Sequence, residues 1–421
     1  MTNQIRRDPE RAILCAVALP GKTDHTEHSL EELERLAETA GAVVVDTLIQ
    51  SREGMHPVHY LGTGKLEELR LLAEEHEADV IIFDDELTPA QQKNIEKEMP
   101  DIKIIDRSAL ILDIFTIHAK TREAKTQVRL AEAEYLLPRL TRQWTHLERQ
   151  VGGIGTRGGP GETQIEIDRR LLRERIKKLK ADLEKISTQL DTKRKSRSVR
   201  FNVALVGYTN AGKSTLMNRL AGSSVEVEDQ LFKTLDTTVR RVQLDKTHTI
   251  YLSDTVGFIQ KLPHQLVASF RSTLREAETA DLLLKVIDIS DENFSEHMKT
   301  IDEVLKEFDI PEKRFITVFN KTDKLESAEN VKYVKRTYPE AFCISAERGI
   351  GLDKLTQAIR SRIDESAYVH HFYVEPDEGK LIADLNRYGE ILESTFVEDK
   401  ILFKVFLDEA VYDSLKKKYQ L

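Results

Sequence analysis

The chain has 421 residues, of which 40% are hydrophobic and 32% charged, and its formal net charge at pH 7 is -9. This ordinary globular composition and the length predict about three domains. Apolar runs fall well short of the roughly 18 residues of a membrane span, and no N-terminal signal peptide is recognisable, so we expect a cytoplasmic protein. Cys15 and Cys343 lie in apolar strand-like runs, which predicts two buried free thiols rather than a disulfide framework or a metal site.

Residues 11–112 alternate strand-like and helix-like patterns, which predicts a parallel sheet with helices packed on it. Ser29, with Glu32 three residues later, predicts the N-cap and capping box of one helix. Thr88-Pro89 predicts the start of another helix, with proline at its first position. Gly62-Thr63-Gly64-Lys65 precedes a third helix but lacks the upstream glycine of a phosphate-binding loop. We interpret it as a turn and helix start, with nucleotide binding as the alternative.

Two heptad seams in the middle of the chain predict two long helices that pair as an antiparallel hairpin. Between them, the glycine-rich run Gly152–Gly161 cannot continue a helix and should form the tip loop. Pro138 lies within the first helix and is expected to kink it rather than end it. The seam residues are Leu130, Ala133, Leu137, Leu140, Trp144, Leu147 and Val151 in the first helix, and Leu172, Ile176, Leu179, Leu183, Ile186 and Leu190 in the second.

The middle segment is basic although the whole chain is acidic. Residues 116–200 contain 21 Lys and Arg against 11 Asp and Glu, and Lys193–Arg197 forms a basic linker after the second helix. Clustered cations attract phosphates, so this asymmetry predicts contact with a polyanion. A hairpin whose solvated faces are simply basic is the alternative. In the tip loop, Arg157 has no local partner in the sequence, and the surrounding glycines suit a close approach to another surface.

A phosphate-binding loop follows the strand-like run Phe201–Val206. Residues Gly207–Ser214 have the sequence Gly-Tyr-Thr-Asn-Ala-Gly-Lys-Ser, which matches the pattern G-x-x-x-x-G-K-S, and a helical pattern begins directly after it. Such a strand–loop–helix unit turns backbone N–H groups toward phosphate oxygens at a helix N-terminus. Lys213 is expected to contact the β- and γ-phosphates, and the hydroxyl of Ser214 to bind Mg²⁺.

A second motif favours guanine over adenine. An apolar strand leads into Asn320-Lys321-Thr322-Asp323, which has the pattern N-K-x-D. The carboxylate of Asp323 can accept hydrogen bonds from N1 and N2 of guanine. Adenine lacks that pair of donors, so it should be rejected on the order of a thousandfold. Asn320 is expected to tie the loops together and contact the base, with the stem of Lys321 along the ring. Ser345-Ala346 is expected to place a backbone N–H near O6 of guanine.

Two segments between these motifs have the pattern of switches that respond to the γ-phosphate. In Asp254-Thr255-Val256-Gly257, a D-x-x-G turn, the aspartate is expected to hold Mg²⁺ through water and the glycine N–H to sense the γ-phosphate. In the earlier segment, residues 231–238, we favour Thr234 as the threonine that closes over Mg²⁺. Thr237 and Thr238 are the alternatives.

The residue after the D-x-x-G turn is Phe258, where many GTPases place a glutamine that orients the attacking water. An apolar side chain cannot do this. Hydrolysis must therefore use another group, or a partner that completes the site. Gln260 lies nearby, but we interpret it as a solvent-facing helix residue.

The C-terminal segment predicts a small α+β unit. It carries strand patterns at 370–374, 393–397 and 401–406, the last two as an antiparallel pair, and helical patterns at 379–385 and 410–418. No catalytic constellation occurs there, so we interpret this unit as a docking module.

Together these patterns predict an α/β protein with a P-loop GTPase domain. An α/β N-terminal domain and a long antiparallel helical hairpin precede it, and a small α+β C-terminal domain follows it. The predicted boundaries are 1–114 for the N-terminal domain, 115–198 for the hairpin with tip loop 152–161, 199–366 for the GTPase domain and 367–421 for the C-terminal domain.

The predicted site residues fall into three groups. The catalytic contacts are Lys213, Thr234 and Gly257. The Mg²⁺ ligands are Ser214, Thr234 and Asp254. GTP or GDP is expected to contact Gly207, Tyr208, Thr209, Asn210, Ala211, Gly212, Lys213, Ser214, Thr215, Phe232, Thr234, Asp254, Gly257, Asn320, Lys321, Asp323, Ser345, Ala346 and Glu347.

Over essentially its whole length the chain resembles HflX, a family of ribosome-associated GTPases. In the family pattern one glycine precedes the tip proline, where this chain has Gly158-Gly159, and a proline stands at the position of Thr237. Neither departure removes a phosphate, Mg²⁺ or base contact, but the first bears on the reach of the tip and the second on the stiffness of the switch. The resemblance lies in Tyr60–Lys65, Gly152–Glu162, Gln164, Asp168–Arg170, Phe232–Thr238 and Asp254–Ile259.

The resemblance implies binding to the large (50S) ribosomal subunit and its rRNA, with the hairpin tip directed toward the peptidyl-transferase centre. It also implies GTP hydrolysis stimulated by the subunit, splitting of stalled 70S ribosomes under stress and, in some members, antibiotic resistance. DNA is not an implied partner, and a monomer is expected away from the ribosome. Peripheral membrane contact stays open as an alternative but is not indicated. The rRNA contacts would come from Gly152, Gly153, Ile154, Gly155, Thr156, Arg157, Gly158 and Gly159.

Two other functions stay open at this point. In a signalling GTPase the hairpin would bind a protein, and this binding would depend weakly on salt, whereas neutralising rRNA phosphates gives a steep dependence. An ATP-driven RNA-remodelling protein that works through its N-terminal domain would retain ATP turnover after Lys213→Ala.

Overall fold

The computed structural model describes residues 9–21, 23–140, 164–195, 201–222, 238–245, 248–261, 276–306, 315–325, 327, 329–397, 399–419 and 421. By their contacts the residues form two compact units. The first contains Met1–Lys185, Gln230–Lys233 and Gln260–Phe270, and the second contains Ile186–Asp229, Thr234–Ile259 and Arg271–Leu421. Within the described ranges, no helix is long and apolar enough to cross a membrane.

The described part of the first unit is built on a parallel sheet with strand order β2-β1-β3-β4, as the alternating pattern predicted. The strands are β1 Arg11–Ala18, β2 Val43–Ser51, β3 Val80–Phe83 and β4 Lys103–Asp106. Central strands β1 and β3 are buried along almost their whole length, because helices cover both faces of a parallel sheet. The helices are α1 Thr23–Thr39, α2 Thr63–Glu75, α3 Pro89–Glu98 and α4 Arg107–His118.

The structure corrects the predicted start of α1. This helix begins at Thr23, six residues before Ser29, so Ser29 is not its N-cap. Ser29 is buried, and its hydroxyl donates to the carboxylate of Asp84 at 2.8 and 3.0 Å. Glu32 pairs with Arg107 and closes no capping box. The Ser-x-x-Glu spacing therefore serves contacts between distant elements.

The other two predicted helix starts are confirmed. Thr88 caps α3 in a capping box with Gln91, and Pro89 is the first helical residue. Helix α2 begins at Thr63, and the N–H of Gly62 donates to Oε1 of Gln50 at 2.9 Å. This agrees with a turn and helix start at Gly62–Lys65.

The hairpin prediction is confirmed for α6 and corrected for α5. Helix α6 spans Gln164–Lys195, whereas α5 spans Arg122–Leu136 and ends two residues before Pro138, so this proline does not kink a continuing helix. Its ring lies in a 3-10 turn, Leu137–Arg139. Lys180 pairs with Glu134 at 2.8 Å, and Arg169 donates to the carbonyl of Leu140 at 3.3 Å, which makes the two chain directions antiparallel. The predicted tip loop 152–161 lies outside the described residues.

In the described part of the second unit, a sheet has the strand order β10-β9-β8-β5-β7-β6. All pairs are parallel except β6 with β7. Because carboxyl ends of parallel strands share one edge, the motifs that follow β5, β7 and β9 are brought together there. The strands are β5 Asn202–Gly207, β6 Thr238–Gln243, β7 Thr249–Asp254, β8 Leu282–Asp288, β9 Phe315–Asn320 and β10 Phe342–Cys343, and the helices are α7 Lys213–Leu220, α8 Phe294–Lys306, α9 Glu329–Thr337 and α10 Leu352–Ser366.

The chain ends in the α+β arrangement that the sequence predicts. An antiparallel sheet in the order β11-β13-β12 packs against two helices around a core that includes Phe372, Leu381, Val405 and Val411. Its elements are β11 Ala367–Val374, α11 Gly379–Tyr388, β12 Glu390–Val397, β13 Lys400–Asp408 and α12 Glu409–Tyr419.

The cysteine prediction is partly confirmed. Both thiols are free, and Cys15 is buried in β1, but Cys343 is only half buried because β10 lies at the edge of its sheet.

Buried charges meet at the carboxyl edge of the sheet in the first unit. Arg107 is 1% exposed and contacts Glu32 at 2.7 Å and Asp84 at 3.2 Å. Lys261, which belongs to this unit by its contacts, lies 2.5 Å from Asp84 and 2.6 Å from Asp85. Burial alone would raise the pKa of Asp84, but Arg107 and Lys261 hold it below its ordinary value. The pair of cations therefore keeps this carboxylate ionised.

We expect Arg107→Met to destabilise the first unit by about 3 kcal/mol, because it leaves the buried carboxylate of Asp84 without its main cation. The deficit should be complete at neutral pH and shrink as the pH falls below about 4, since a protonated carboxyl needs no cation. Urea unfolding, followed by hydrogen exchange of the β1 and β3 amides, measures it. Exposed Arg70, which pairs with Glu67 and Glu74 on α2, provides the control Arg70→Met, with no resolvable change. An equal effect of both variants would contradict the prediction.

Candidate nucleotide-binding site

The phosphate-loop motif forms a tight turn between β5 and α7. Gly212 has φ +86°, and a Cβ there would lie 2.3 Å from Nδ2 of Asn320, so no side chain fits. Asn210 also adopts a left-handed conformation, with φ +59°. The turn places the first residues of α7, Lys213 and Ser214, at the carboxyl edge of the sheet, where a helix N-terminus attracts anions.

Lys213 is buried with its ammonium group in the turn. Its Nζ donates to the carbonyls of Gly207 at 3.0 Å and Tyr208 at 2.7 Å. Burial lowers the pKa of Lys213 to about 8, with a smaller lowering from Lys321 and an opposing contribution from Asp254. A buried ammonium held by neutral carbonyls gains strongly from a nearby anion. The group is therefore placed to bind phosphate oxygens.

Two oxygen-bearing side chains, at the end of β7 and the start of α7, could serve as ligands of a hard divalent cation. The hydroxyl of Ser214 donates to Oδ2 of Asp254 at 2.6 Å. The hydroxyl of Thr255 donates to the carbonyl of Leu205 at 2.6 Å, which fixes the backbone beside Asp254. Hydroxyl and carboxylate oxygens are ligands that Mg²⁺ prefers, so the residues present fit that ion. The third predicted ligand, Thr234, lies outside the described residues.

The D-x-x-G turn is bonded to the phosphate loop through its backbone. The N–H of Thr209 donates to the carbonyl of Phe258 at 2.8 Å, and the N–H of Phe258 donates to the carbonyl of Gly207 at 3.0 Å. A Cβ on Gly257 would lie 2.8 Å from Cα of Thr209, so the close approach requires glycine. The side chain of Phe258 is buried in a cluster with Tyr208. It therefore contributes packing and cannot orient water.

Asn320 joins the phosphate loop to the segment after β10. Its Nδ2 donates to the carbonyl of Ala211, and its Oδ1 accepts from the N–H of Ala346, both at 2.9 Å. The next residue, Lys321, has φ +64° and pairs with Asp288 at 2.7 Å. Asn320 is 2% exposed, and its side-chain amide bridges the two loops that a nucleotide would contact.

The carboxylate of Asp323 stays ionised beside these loops. A hydrogen bond with Ser345 lowers its pKa most, partial burial opposes the shift, and the nearby guanidinium of Arg348, 3.8 Å away, adds to the lowering. The side chain is 7% exposed. An ionised and nearly buried carboxylate is a strong acceptor for a pair of N–H donors.

The structure brings together most of the predicted nucleotide contacts at one sheet edge. Phe232, Thr234 and the hairpin-tip residues lie outside the described residues, and their roles stay predictions. Three contacts were missed: Tyr208 stacks on His297 with ring centroids 3.8 Å apart, Lys321 pairs with Asp288, and Arg219 contacts the carbonyls of Ala346 and Glu347. Each joins residues that are distant in sequence, so no local pattern could have signalled it.

Three family models match the chain in succession. They are described as "GTP-binding GTPase N-terminal" over residues 27–116, "GTP-binding GTPase Middle Region" over residues 118–197 and "50S ribosome-binding GTPase" over residues 202–321.

Similar proteins include two named GTPase HflX. The one from Magnetococcus marinus is 43% identical over 97% of this chain and 95% of its own length. The one from Escherichia coli is 43% identical over 93% of this chain and 91% of its own length. Among solved structures, a GTP-binding protein from the archaeon Sulfolobus solfataricus in complex with GDP is 25% identical, covering 84% of this chain and 98% of its own, with a TM-score of 0.43.

The lowered pKa of Lys213 predicts that nucleotide binding takes up a proton. Without ligand the ammonium loses its proton near pH 8, whereas bound phosphates keep it charged, so GDP binding at pH 8 should take up about half a proton. At pH 6.5 Lys213 is already charged and takes up no proton, so the net uptake should be lower than at pH 8. Calorimetry in two buffers of different ionisation enthalpy measures this. Equal uptake at both pH values would show that Lys213 is not the group that titrates.

Proposed function

Since this chain belongs to the HflX family of GTPases, and so binds and hydrolyses GTP, we propose that it works on the large ribosomal subunit. It binds the 50S subunit and its rRNA, hydrolyses GTP there and splits stalled 70S ribosomes, with the hairpin tip acting near the peptidyl-transferase centre. This places its activity in the cytoplasm, with the protein a monomer away from the ribosome. The observation that carries the dependence on a partner is the burial of Phe258.

In the proposed site, the phosphates lie against the N-terminus of α7 and the ammonium of Lys213. Ser214, Asp254 through a water, and Thr234 from the first switch would hold Mg²⁺. When bound, this ion would neutralise charge on the β- and γ-phosphate oxygens. Gly257 contributes its N–H to the γ-phosphate, and no residue larger than glycine fits at its position.

The guanine base is recognised between the segments that Asn320 joins. Asp323, ionised and nearly buried, accepts from N1 and N2, and Asn320 holds the phosphate loop and Ala346 in register. The N–H of Glu347 would reach O6, because the N–H groups of Ser345 and Ala346 already donate to the carbonyl of Ile350 and to Oδ1 of Asn320. Adenine would leave the Asp323 carboxylate without donors, which is the physical basis of its rejection.

Hydrolysis needs a contribution from the partner. Phe258 occupies the position of a water-orienting residue, and its side chain packs with Tyr208 in the core. With charge stabilisation but no positioned water, the free protein should turn over GTP slowly. A ribosomal group that orients water or stabilises the transition state would supply the missing part.

The large subunit fits this chain in two respects. The description of the family model over residues 202–321 names a 50S ribosome-binding GTPase. Helix α6 also exposes a series of cations, including Arg173, Arg175, Lys177 and Lys178. Exposed cations along a long helix suit the phosphate backbone of rRNA, because each neutralised phosphate releases counterions.

The base assignment predicts the ligand preference of Asp323→Asn. The amide presents a donor where guanine also presents donors, whereas xanthine offers a second carbonyl as acceptor. GTP affinity should fall on the order of a hundredfold, and XTP should become the preferred ligand. Competition binding with GTP, XTP and ATP measures this, with Asp353→Asn on α10 as the control. Unchanged GTP preference would mean that the base binds elsewhere.

The proposed partner predicts that 50S subunits accelerate GTP turnover about tenfold or more, a barrier change of about 1.4 kcal/mol. Replacing Gly152–Gly161 by a short Gly-Ser turn should spare GTP binding and abolish splitting of 70S ribosomes, because a thin loop on a rigid arm is needed to enter an RNA-lined cavity. Arg157→Ala should give a milder loss. Turnover assays with and without 50S subunits, and light scattering of 70S particles with GTP, provide the readouts.

Three outcomes decide between the alternatives. A free-protein rate equal to the stimulated rate would show that the site is complete without a partner. If the shortened variant splits 70S ribosomes at the wild-type rate, the hairpin acts only as a spacer and its tip has no role in splitting. Binding to subunits that does not weaken with salt would favour a protein groove over rRNA phosphates.

A further inference from the structure

We propose that Arg219 positions the loop that recognises O6 of guanine and links it rigidly to the helix that carries the phosphate contacts. The loop, here called the base loop, comprises residues 345–350. This inference rests on the proposed guanine site. Arg219 touches no nucleotide atom in this scheme, so it is a positioning residue.

Arg219 lies in the last turn of α7 and reaches the base loop with two donors. Its Nε donates to the carbonyl of Ala346 at 3.2 Å, and its NH2 donates to the carbonyl of Glu347 at 2.5 Å. A planar guanidinium with donors in a fixed fork can hold two successive carbonyls at once. It therefore sets the orientation of two consecutive peptide groups.

The orientation of these carbonyls determines where the N–H groups point. In a trans peptide the C=O and the following N–H are antiparallel. With the carbonyls of Ala346 and Glu347 turned toward Arg219, the N–H groups of Glu347 and Arg348 face the other way. The N–H of Arg348 indeed donates to the hydroxyl of Ser345 at 3.0 Å. Ser345 in turn is hydrogen-bonded to Asp323.

Backbone hydrogen bonds close the base loop at its two ends. Ser345 and Ile350 exchange backbone hydrogen bonds at 3.0 and 3.1 Å, which closes the loop at its base. Gly349, with φ +75°, lies against the guanidinium, since a Cβ there would be 3.6 Å from it. Arg219 thus acts on the part of the loop that would face the base.

The same helix begins with the residues that contact phosphate. Lys213 and Ser214 open α7, and Arg219 lies less than two turns later, so a short rigid helix separates the phosphate contacts from the base loop. Asn320 makes the second connection, from Ala211 to Ala346. Seating of the phosphates and placement of the O6-reading N–H are therefore parts of one rigid arrangement.

The test compares GDP with 6-thio-GDP, in which sulfur, a weaker acceptor, replaces O6. Wild type should prefer GDP. Arg219→Met should lower GDP affinity about fivefold, because two hydrogen bonds from an exposed guanidinium are lost. The affinity for 6-thio-GDP should fall less, so the ratio of GDP affinity to 6-thio-GDP affinity should become smaller. Arg219→Lys, which can hold one carbonyl, should restore part of the preference. Arg362→Met on α10, where Arg362 pairs with Glu365, is the matched control and should change neither affinity.

Two results would overturn the role of Arg219: an equal loss of affinity for both ligands, or no loss at all. Equal affinities of the wild type for GDP and 6-thio-GDP would also overturn this role. Failure of the guanine site itself is distinguished by Asp323→Asn and xanthosine diphosphate. If that variant gains xanthosine diphosphate while Arg219→Met changes nothing, the guanine site stands and only the positioning role is lost. Unfolding temperatures without nucleotide, expected to be equal, exclude a general loss of fold.

Discussion

The amide of Asn320 is the contact on which the geometry of the nucleotide site depends. It lies at the end of β9 and accepts the N–H of Ala346 while donating to the carbonyl of Ala211. Both partners are backbone groups, so a side chain of the wrong length or polarity would leave a buried carbonyl or N–H unsatisfied. The same amide leaves no room for a Cβ on Gly212. One residue thus explains the glycine of the phosphate loop and the placement of the base loop.

Burial of Lys213 shows how the fold prepares for a charged ligand before it arrives. The ammonium lies among carbonyls. Burial disfavours its charged form and lowers the pKa of Lys213 to about 8. In the first unit the cost of buried charge is met differently, because Asp84 has two cations beside it and its pKa falls below the ordinary value. A charge that is fully paired within the protein stabilises the fold. A buried cation that contacts only neutral carbonyls, as Lys213 does, favours binding of an anion, which is the behaviour expected at a functional site.

The sequence predicted the features whose causes are local. The phosphate loop, the parallel alternation of the first unit and the capping of α3 by Thr88 all depend on a few neighbouring residues. The errors have tertiary causes. Ser29 resembled an N-cap, but its hydroxyl serves the buried carboxylate of Asp84, 55 residues away. Pro138 was expected to lie within a helix, because the heptad seam continues past it. Proline has no N–H to continue the α-helical hydrogen bonds, so α5 ends at Leu136 and the chain passes into a 3-10 turn in which Leu137 keeps helical backbone angles.

Phe258 links the architecture of the site to the proposed need for a partner. Its backbone bonds on both sides to the phosphate loop, and its side chain enters the cluster that holds Tyr208, which itself stacks on His297. Exchanging Phe258 for a polar, water-orienting residue would place an amide in that cluster and cost the packing beneath the phosphate loop. The position therefore serves the packing beneath the phosphate loop, and its side chain cannot orient water. In the proposed function, a GTPase built this way would gain control over when it hydrolyses GTP, because the missing group would arrive with the ribosomal surface to which the protein binds.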